Sequence, residues 1–219
     1  MSHDHHAPVP PDGVPPVLHA DDSLVVFNKP TGLLSVPGIG PEKMDCLVAR
    51  ADTVFPGIRI VHRLDRDTSG VIVLARDAQT HRHLSIQFQE RQTQKTYEAM
   101  VLGEPDEDDG LIDAAIRKDL ENAPRQCIDP IQGRPSQTQW RILERFDGHA
   151  RLQLFPRTGR SHQLRLHLLH IGHPILGDDL YAPPEGLAKA DRLCLHATAL
   201  EFTHPVTGQQ ITFESPAPF

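Results

Sequence analysis

The sequence predicts an α+β fold with a mixed, mostly antiparallel sheet and flanking helices. It contains many short strand-like runs bounded by turn residues and only a few helical stretches. Strands and helices also do not alternate regularly, as they would in a parallel sheet. A length of 219 residues fits one compact domain. We therefore predict a disordered, Pro- and His-rich tail over residues 1–16 and a single domain over residues 17–219.

The first elements follow from apolar runs and the turn residues that stop them. Residues 24–27 (Leu-Val-Val-Phe) predict a strand, which the turn residues 28–32 (Asn-Lys-Pro-Thr-Gly) end. Residues 44–51 predict a short helix. Residues 71–75 (Val-Ile-Val-Leu-Ala) predict a buried strand because this short aliphatic run follows the turn residues Ser69 and Gly70.

A helix and a strand are predicted next. Asp77 is typical of a helix N-cap, and Leu84, Phe88 and Arg91 fall on one helical stripe. Residues 95–102 predict a strand, with Tyr97 on the same face as the apolar residues that follow it at every second position. The acidic residues 104–110 predict a loop.

The second half of the chain predicts a hairpin, a helix and two closing strands. Residues 137–145 and 150–155 pair around the turn at Asp147 and Gly148. Residues 161–171 predict a helix, because Leu164, Leu168 and Ile171 recur with helical spacing. Strands over residues 193–203 and 210–213 complete the predicted fold.

Composition excludes several classes of protein. The longest aliphatic run, residues 71–75, is far too short to span a bilayer, and the first residues lack the apolar core of a secretory signal. The three cysteines are widely spaced and form no CxxC pair, which argues against a disulfide framework or a cysteine-built zinc site. We expect a cytoplasmic protein that binds neither membrane nor metal.

Charge is unevenly distributed along the chain. The net charge is −7, yet residues 59–97 carry seven Lys or Arg against four Asp or Glu, and residues 134–170 carry seven against two. Residues 103–122 carry eight acids against two bases. The two cationic stretches predict a basic cleft for a phosphate-rich partner, because local field governs phosphate binding more than net charge does. An ordinary solvated surface is the alternative.

The densest polar cluster runs from His62 to Gly70 and leads directly into the strand predicted over residues 71–75. In an extended segment Arg63 and Asp65 project to one side and Leu64 to the other. A carboxylate held there among cations is suited to act as a nucleophile or a general base. A structural Arg-x-Asp ion pair is the alternative.

A second cluster, residues 159–167, opens the predicted helix 161–171. Ser161, His162 and Arg165 lie within one turn on the face opposite Leu164. Backbone amides at the helix start, with Arg160 beside them, predict a phosphate site. The histidines of this region lack the spacing of a zinc site.

These segments together resemble the signature blocks of RluA-type pseudouridine synthases. The similarity extends from about residue 18 to the C-terminus, in five blocks that occur in the family's order. The blocks are Asn28-Lys29-Pro30-Thr31-Gly32-Leu33-Leu34, His62-Arg63-Leu64-Asp65 followed by Thr68-Ser69-Gly70, Lys95-Thr96-Tyr97, Gly159-Arg160-Ser161-His162-Gln163-Leu164-Arg165, and Gly172-His173-Pro174-Ile175-Leu176-Gly177-Asp178.

The resemblance implies a pseudouridine synthase fold with a central catalytic cleft, and it implies roles for particular residues. Asp65 matches the catalytic aspartate, which attacks the nucleoside so that uracil detaches, turns and rejoins through carbon. Tyr97 matches the tyrosine that stacks on the flipped base and is a candidate proton acceptor. Arg165 matches the basic residue that pairs with the aspartate. The reaction is a redox-neutral isomerisation, and no cofactor is expected.

Substrate contacts are expected from a further group of cationic and imidazole side chains. We hypothesise that Arg63, beside Asp65, fills the space left by the flipped base. The remaining residues in this group are His62, Arg157, Arg160 and His162.

Within the family the chain is most similar to the short branch, and we expect no S4-like RNA-binding domain ahead of it. That branch isomerises uridine 32 of tRNA anticodon stem-loops and uridine 746 of 23S rRNA. The implied partner is therefore RNA, and we expect a monomer. Two alternatives stay open: an inactive RNA-binding module of the same fold, and a retaining glycoside hydrolase with Asp67 as its second carboxylate.

Overall fold

The computed structural model describes residues 9–219. Residues 1–8, which hold the first half of the predicted disordered tail, lie outside the described residues. Residues 9–16 contain no helix or strand.

Strands and short helices make up the described chain. In chain order they are β1 (Val17–Ala20), β2 (Leu24–Lys29), α1 (Leu47–Asp52), β3 (Arg59–Ile60), β4 (Ser69–Ala75), α2 (Ala78–Gln89), β5 (Gln94–Leu102), β6 (Asp109–Asp113), β7 (Ile116–Lys118), β8 (Gln126–Ile128), β9 (Gln137–Phe146), β10 (His149–Pro156), α3 (Gln163–His170), α4 (Pro184–Ala188), β11 (Leu195–Thr203) and β12 (Gln210–Glu214). A 3-10 turn over Pro41–Lys43 precedes α1.

The described residues divide into two compact units. The first unit comprises residues 9–95 and 196–218, and the second comprises residues 96–195 with Phe219. The chain passes between the units within β5 and again at the start of β11. The prediction of one domain over residues 17–219 stays a prediction.

In the first unit the sheet is built around β4, whose seven residues are all buried. β4 pairs antiparallel with β2 and β3 and parallel with β11. Strand β1 extends the sheet beside β2, and β12 extends it beside β11. Alternate apolar residues of β2, β4 and β11 form a core with Leu84 of α2. The strands predicted over residues 24–27 and 71–75 are confirmed.

The predicted N-cap of α2 is confirmed, but the predicted C-terminal part of its stripe is wrong. The Asp77 carboxylate accepts a hydrogen bond of 2.8 Å from the Thr80 amide, which is the usual N-cap arrangement. The helix ends at Gln89, and Arg91 has a left-handed φ of 59°. Arg91 is exposed, so the apolar stripe ends at Phe88.

In the second unit the strands follow the order β5–β10–β9–β6, and every pair is antiparallel. The predicted hairpin is confirmed: β9 and β10 meet around Asp147 and Gly148, and Gly148 takes the left-handed φ of 72° that such a turn requires. β6 begins at Asp109, so the acidic loop ends slightly earlier than predicted. Leu164 and Leu168 of α3 pack into the core of this unit.

The fold class predicted from the sequence is therefore confirmed. Among the strand pairs within the two units as described, β4–β11 is the parallel one and the rest are antiparallel, with a few helices beside the strands.

Gly70 is the position at which we expect backbone geometry to limit the fold most. It has a φ of 115°, and a Cβ atom there would lie 2.2 Å from the Ala197 carbonyl oxygen across the parallel pair. We predict that Gly70→Ala lowers the free energy of unfolding by at least about 3 kcal/mol in a denaturant titration.

The matched control is Gly57→Ala. Gly57 has a φ of 82°, but no atom lies within 4 Å of the position that the added methyl group would take. This substitution should cost only about 1 kcal/mol. Equal losses for the two variants would contradict the proposed steric cause.

Candidate active site

Asp65 lies in the loop between β3 and β4 of the first unit. Leu64 before it is buried, at 5% exposure, whereas the side chain of Asp65 is only partly covered and Arg63 is exposed. This alternation agrees with the extended backbone predicted for the segment. The loop thus sends Leu64 into the protein and leaves the Asp65 carboxylate accessible to a ligand.

Hydrogen bonds between side-chain hydroxyls and the backbone fix the loop on both sides of Asp65. The Ser35 hydroxyl donates to the Leu64 carbonyl oxygen at 2.8 Å and accepts from the Leu64 amide at 3.1 Å. On the other side, the Thr31 hydroxyl donates to the carbonyl oxygen of Asp67 at 2.8 Å. The residues that follow β2 therefore hold the loop of the candidate nucleophile, which gives this block of the sequence a physical role.

Lys29, at the end of β2, is the central part of this attachment. Its side chain is fully buried, and its ammonium donates hydrogen bonds to the carbonyl oxygens of Pro30, Leu33 and Arg66 at 2.9, 2.7 and 2.9 Å. A buried ammonium requires such acceptors, because isolating it from water without them is very costly. One cation thus connects the turn after β2, at Pro30 and Leu33, to Arg66, the residue that follows Asp65.

His62 is a structural part of the loop as well as a predicted substrate contact. Its ring stacks on Phe88 with centroids 4.4 Å apart, and its Nε2 accepts a hydrogen bond of 3.2 Å from the Val73 amide. Burial, and secondarily the charge of Lys95, lowers the pKa of His62 to about 3. The imidazole is therefore neutral at physiological pH.

Asp67 is engaged by its neighbour. The residue is 8% exposed. Its carboxylate accepts hydrogen bonds from Nε and Nη2 of Arg66 at 2.9 and 3.1 Å. This fork-to-fork pairing takes both carboxylate oxygens.

Tyr97 lies on β5 in the second unit. It stands opposite Leu154 of β10 and packs, partly buried, against the apolar core of that unit. The strand predicted over residues 95–102 is confirmed, but burial does not alternate along it, because Met100 is buried as well as Ala99 and Val101. The ring is thus held by the sheet at one edge of a packed core.

The start of α3 differs from its predicted form. The helix begins at Gln163, and His162 precedes it with a left-handed φ of 54°. The Gln163 side chain accepts a hydrogen bond of 3.0 Å from the Arg160 amide, and the Gln163 amide donates to the Arg160 carbonyl oxygen. The Arg160 and Gln163 amides are therefore occupied, which removes two donors from the predicted phosphate site.

The polar face predicted for α3 is also wrong. All residues from Gln163 to Leu168 are buried, including Arg165 at 2% exposure. The buried polar side chains on this helix, those of Gln163, Arg165 and His167, find partners inside the protein. His167, for example, bonds to the Thr138 hydroxyl at 2.9 Å and to the Ala114 carbonyl oxygen at 3.0 Å.

Arg165 is held by two aspartates and an aromatic ring. Its Nε donates to Asp178 Oδ2 at 2.8 Å and its Nη2 to Asp178 Oδ1, while Nη2 also donates to Asp179 Oδ1 at 3.0 Å. The guanidinium carbon stands 5.1 Å from the centroid of the Tyr181 ring. The hydroxyl of the same tyrosine lies 2.7 Å from Nδ1 of His162. Tyr181 thus brings the predicted site residues His162 and Arg165 together.

The remaining predicted contacts, Arg157 and Arg160, are less constrained. Arg157 is exposed and donates one long hydrogen bond of 3.4 Å to Gln139. Arg160 is partly buried, and its Nη2 reaches the Pro135 carbonyl oxygen at 3.5 Å. Over residues 9–219, the Nε of Arg160 is a buried donor without a hydrogen-bond acceptor. A buried donor of this kind calls for an explanation, and an anionic ligand would supply one.

Neither a cluster of metal-ligating residues nor a membrane-spanning helix occurs among the described residues. Over residues 9–219, no three His, Cys, Asp or Glu residues are grouped so that they could hold a metal ion. None of the helices in that range is long and apolar enough to cross a membrane.

Comparison with known proteins decides the family. Residues 23–170 match the family model described as RNA pseudouridylate synthase. The chain belongs to the RluA-type RNA pseudouridine synthases. It is 48% identical over 204 residues to the dual-specificity RNA pseudouridine synthase RluA of Escherichia coli strain CFT073, covering 93% of each chain. It is 45% identical to the protein of the same name from Pasteurella multocida, covering 96% of each.

Solved structures agree with this assignment. The human protein RNA pseudouridylate synthase domain containing 1 superposes with a TM-score of 0.79 and 30% sequence identity, over 96% of this chain and 87% of the human one. The protein is therefore an RNA pseudouridine synthase, an isomerase that acts on RNA.

Sequence reasoning found the segments of this pseudouridine synthase that carry chemistry but missed the residues that hold them. It gave no role to Lys29, Ser35, Asp178 or Tyr181, although three of them lie within or beside the blocks that carry the resemblance. Their signal was the occurrence of polar residues in otherwise apolar or turn-forming segments. The catalytic pairing of Arg165 with Asp65 stays a prediction.

Because His62 is partly buried and neutral, acid should destabilise the fold. The unfolded chain binds a proton near the ordinary pKa of 6.5, but folded His62 does so only near 3, so stability is lost as pH falls below 6.5. We predict that His62 contributes a loss of about 2 kcal/mol in the free energy of unfolding between pH 7 and pH 5. Denaturant titrations at both pH values measure it.

His62→Gln is the control for this prediction. Its amide oxygen can accept the Val73 N–H, but the side chain does not titrate. The variant should therefore lose less stability between the two pH values than the wild type does. An unchanged loss would assign the effect to other groups, such as His167, whose pKa is also lowered by burial.

Proposed function

We propose that this enzyme isomerises uridine 32 in tRNA anticodon stem-loops and uridine 746 in 23S rRNA. Relatives with 48% identity over 93% of the chain carry the name dual-specificity RNA pseudouridine synthase, which supports two classes of RNA substrate. The resemblance to the short branch supports these two positions. Recognition of RNA loops rests largely on shape and on unstacked bases, so one enzyme can accept two similar loops.

The observation that carries the catalytic part of the proposal is the attachment of the Asp65 loop. The residues on either side of Asp65 are bonded to Ser35, Lys29 and Thr31, whereas Asp65 itself is partly exposed. A carboxylate on a rigid, anchored loop is positioned for attack with little loss of entropy. We assign Asp65 as the nucleophile.

The proposed reaction conserves atoms and electrons. The Asp65 carboxylate forms a bond to the ribose C1′ as the bond between C1′ and N1 of uracil breaks, and the uracil rotates. A bond between C5 and C1′ then forms as the bond from C1′ to Asp65 breaks, C5 loses its proton and N1 gains one. The steps need a nucleophile, a proton acceptor and electrostatic stabilisation, and they involve no net oxidation.

Tyr97 and Arg165 complete the proposed catalytic set. Tyr97 presents an aromatic ring from β5, which suits stacking on the flipped uracil, and its hydroxyl is a candidate acceptor for the C5 proton. Arg165 offers a guanidinium whose orientation is fixed by Asp178. We propose that Arg165 pairs with Asp65 during the reaction and that these three residues act on one uridine.

Phosphate contacts are proposed for Arg63, Arg157 and Arg160, with His62 and His162 nearby in sequence. Arg63 and Arg157 are exposed, and Arg160 has the buried donor without an acceptor among the described residues. Exposed arginines suit phosphate recognition because their planar fork matches two phosphate oxygens. Flipping the uridine distorts the RNA backbone, which these cations would hold.

The alternatives considered for the sequence are less well supported. A retaining glycoside hydrolase needs a second carboxylate as acid and base, but Asp67 is buried and both its oxygens are bonded to Arg66. An inactive RNA-binding module has no need of the residues that match the family's catalytic positions.

We propose further that the enzyme acts as a cytoplasmic monomer without metal or cofactor.

Mapping of pseudouridine in cellular RNA tests the proposed substrates. In cells that lack this gene product, pseudouridine should be lost at position 32 of a set of tRNAs and at position 746 of 23S rRNA, and should return when the wild-type gene is restored. The gene with Asp65→Asn is the control and should restore neither position. Loss at other uridines alone would overturn the proposed specificity while leaving the enzyme class intact.

Asp65→Asn should abolish isomerisation and leave folding and RNA binding nearly intact. The amide has almost the same shape but is far less nucleophilic, so we expect turnover to fall by at least about 1,000-fold. Single-turnover assays on a tRNA stem-loop measure it.

Asp67→Asn serves as the matched control for that substitution. Because Asp67 is bonded to Arg66, its substitution should mainly lower stability and keep turnover within about tenfold of the wild type. Substantial turnover by Asp65→Asn would remove Asp65 from the role of nucleophile.

RNA binding should weaken steeply with salt despite the net charge of −7. If about three to five phosphates are neutralised, log affinity should fall against log salt with a slope of roughly −2 to −4. Arg160→Ala should reduce the magnitude of this slope by about one unit if it meets a phosphate. Binding isotherms at several salt concentrations give the slope, and a slope near zero would argue for an ordinary solvated surface.

A further inference from the structure

We propose that Asp178 is a positioning residue of this enzyme, which fixes the guanidinium of Arg165 before RNA binds. The proposal rests on the catalytic role proposed for Arg165. The pair is deeply buried, with side-chain exposures of 2% for Arg165 and 0% for Asp178. Its geometry is that of a fork meeting a fork, which restrains rotation of the guanidinium plane.

The two hydrogen bonds from Arg165 to Asp178 define which edge of the guanidinium is held. They use Nε and Nη2, and the bond to Asp179 uses Nη2 again. Nη1 takes no part in the bonds to the two aspartates. The two-bond fork with Asp178 therefore sets the plane of the guanidinium, and the single bond to Asp179 does not.

Asp178 is itself fixed by the backbone around it. Its Oδ1 also accepts hydrogen bonds from the amides of Leu180 and Tyr181, both at 3.0 Å. The preceding Gly177 has a φ of 70°, and a Cβ atom there would lie 1.9 Å from the Arg192 carbonyl oxygen. The turn is thus closed by a contact that only glycine permits, and it delivers the carboxylate to one place.

Tyr181 supports the guanidinium from another direction. Its ring lies beneath Arg165 at 5.1 Å and beneath Arg125 at 5.4 Å from the ring centroid. Its hydroxyl oxygen accepts a hydrogen bond of 2.8 Å from the Gln126 amide. The ring is therefore held by strand β8, and the guanidinium lies between a fixed carboxylate and a fixed aromatic face.

This arrangement has a consequence for the reaction. A cation that must stabilise changing charge on a nucleophile is most effective when its orientation needs no adjustment during the step. Loss of the Asp178 charge should leave Arg165 in place but let its plane rotate. The effect should fall on turnover rather than on affinity for RNA.

The adjacent aspartates provide a matched experiment. Asp178→Asn and Asp179→Asn remove the same charge from neighbouring residues, but Asp179 is 24% exposed and accepts one bond from Arg165. In single-turnover assays on a tRNA stem-loop, Asp178→Asn should lower the rate by at least about 30-fold, with the Kd for RNA within about twofold. Asp179→Asn should lower the rate by less than about fivefold. Equal rates for Asp178→Asn and the wild type would overturn the proposal.

A second measurement separates positioning from a loss of folding. Asp178→Glu keeps the buried charge but moves it by one methylene group, so it should remain folded by circular dichroism and still lose turnover. In the Arg165→Lys background the fork is absent, and Asp178→Glu should then cause little further loss. Independent, multiplicative losses from the two substitutions would mean that Asp178 does not act through Arg165.

The role of Arg165 is tested in the same series. If Arg165→Lys retains wild-type turnover, the proposed catalytic role of Arg165 fails, whatever Asp178 does. If Arg165→Lys is impaired but Asp178→Asn and Asp178→Glu are not, only the positioning role fails.

Discussion

The buried ammonium of Lys29 is the interaction on which the Asp65 loop depends. It donates hydrogen bonds to the carbonyl oxygens of Pro30, Leu33 and Arg66. If the loop before β4 separated from the turn after β2, the buried ammonium would lose hydrogen-bond acceptors, which is very costly. Lysine suits this position because its compact ammonium can donate to several carbonyl oxygens from different directions. The hydroxyls of Ser35 and Thr31 complete the attachment with neutral hydrogen bonds.

The second unit meets a similar requirement with a different cation. Arg165 is as deeply buried as Lys29, but its planar fork faces a carboxylate, Asp178, and an aromatic ring, Tyr181. A guanidinium held in this way has a defined plane as well as a defined position. The two units thus use buried cations for different purposes. Lys29 fixes the position of a stretch of backbone, whereas the guanidinium of Arg165 is itself the group whose orientation is fixed.

The same physical logic explains the glycines in two of the sequence blocks. Gly70 follows the Asp65 loop at the point where β4 and β11 approach each other, and Gly177 precedes Asp178 in a turn pressed against the Arg192 carbonyl oxygen. Both residues have positive φ and no room for a Cβ atom. The conformation of the adjoining backbone is restricted at both glycines, which fixes the position of the short polar motifs beside them.

The sequence by itself determined the local elements and the chemistry-bearing segments. Apolar runs and turn residues placed β2, β4 and the β9–β10 hairpin, and Asp77 placed the N-cap of α2, since these signals lie in neighbouring residues. Five blocks between Asn28 and Asp178, in the order found in the family, carried the family resemblance. Only the tertiary structure showed that α3 buries Arg165, that Asp178 and Tyr181 hold it, and that Lys29 anchors the Asp65 loop. Those contacts join residues that are 13 to 37 positions apart, and no local pattern encodes which buried polar groups will meet as partners.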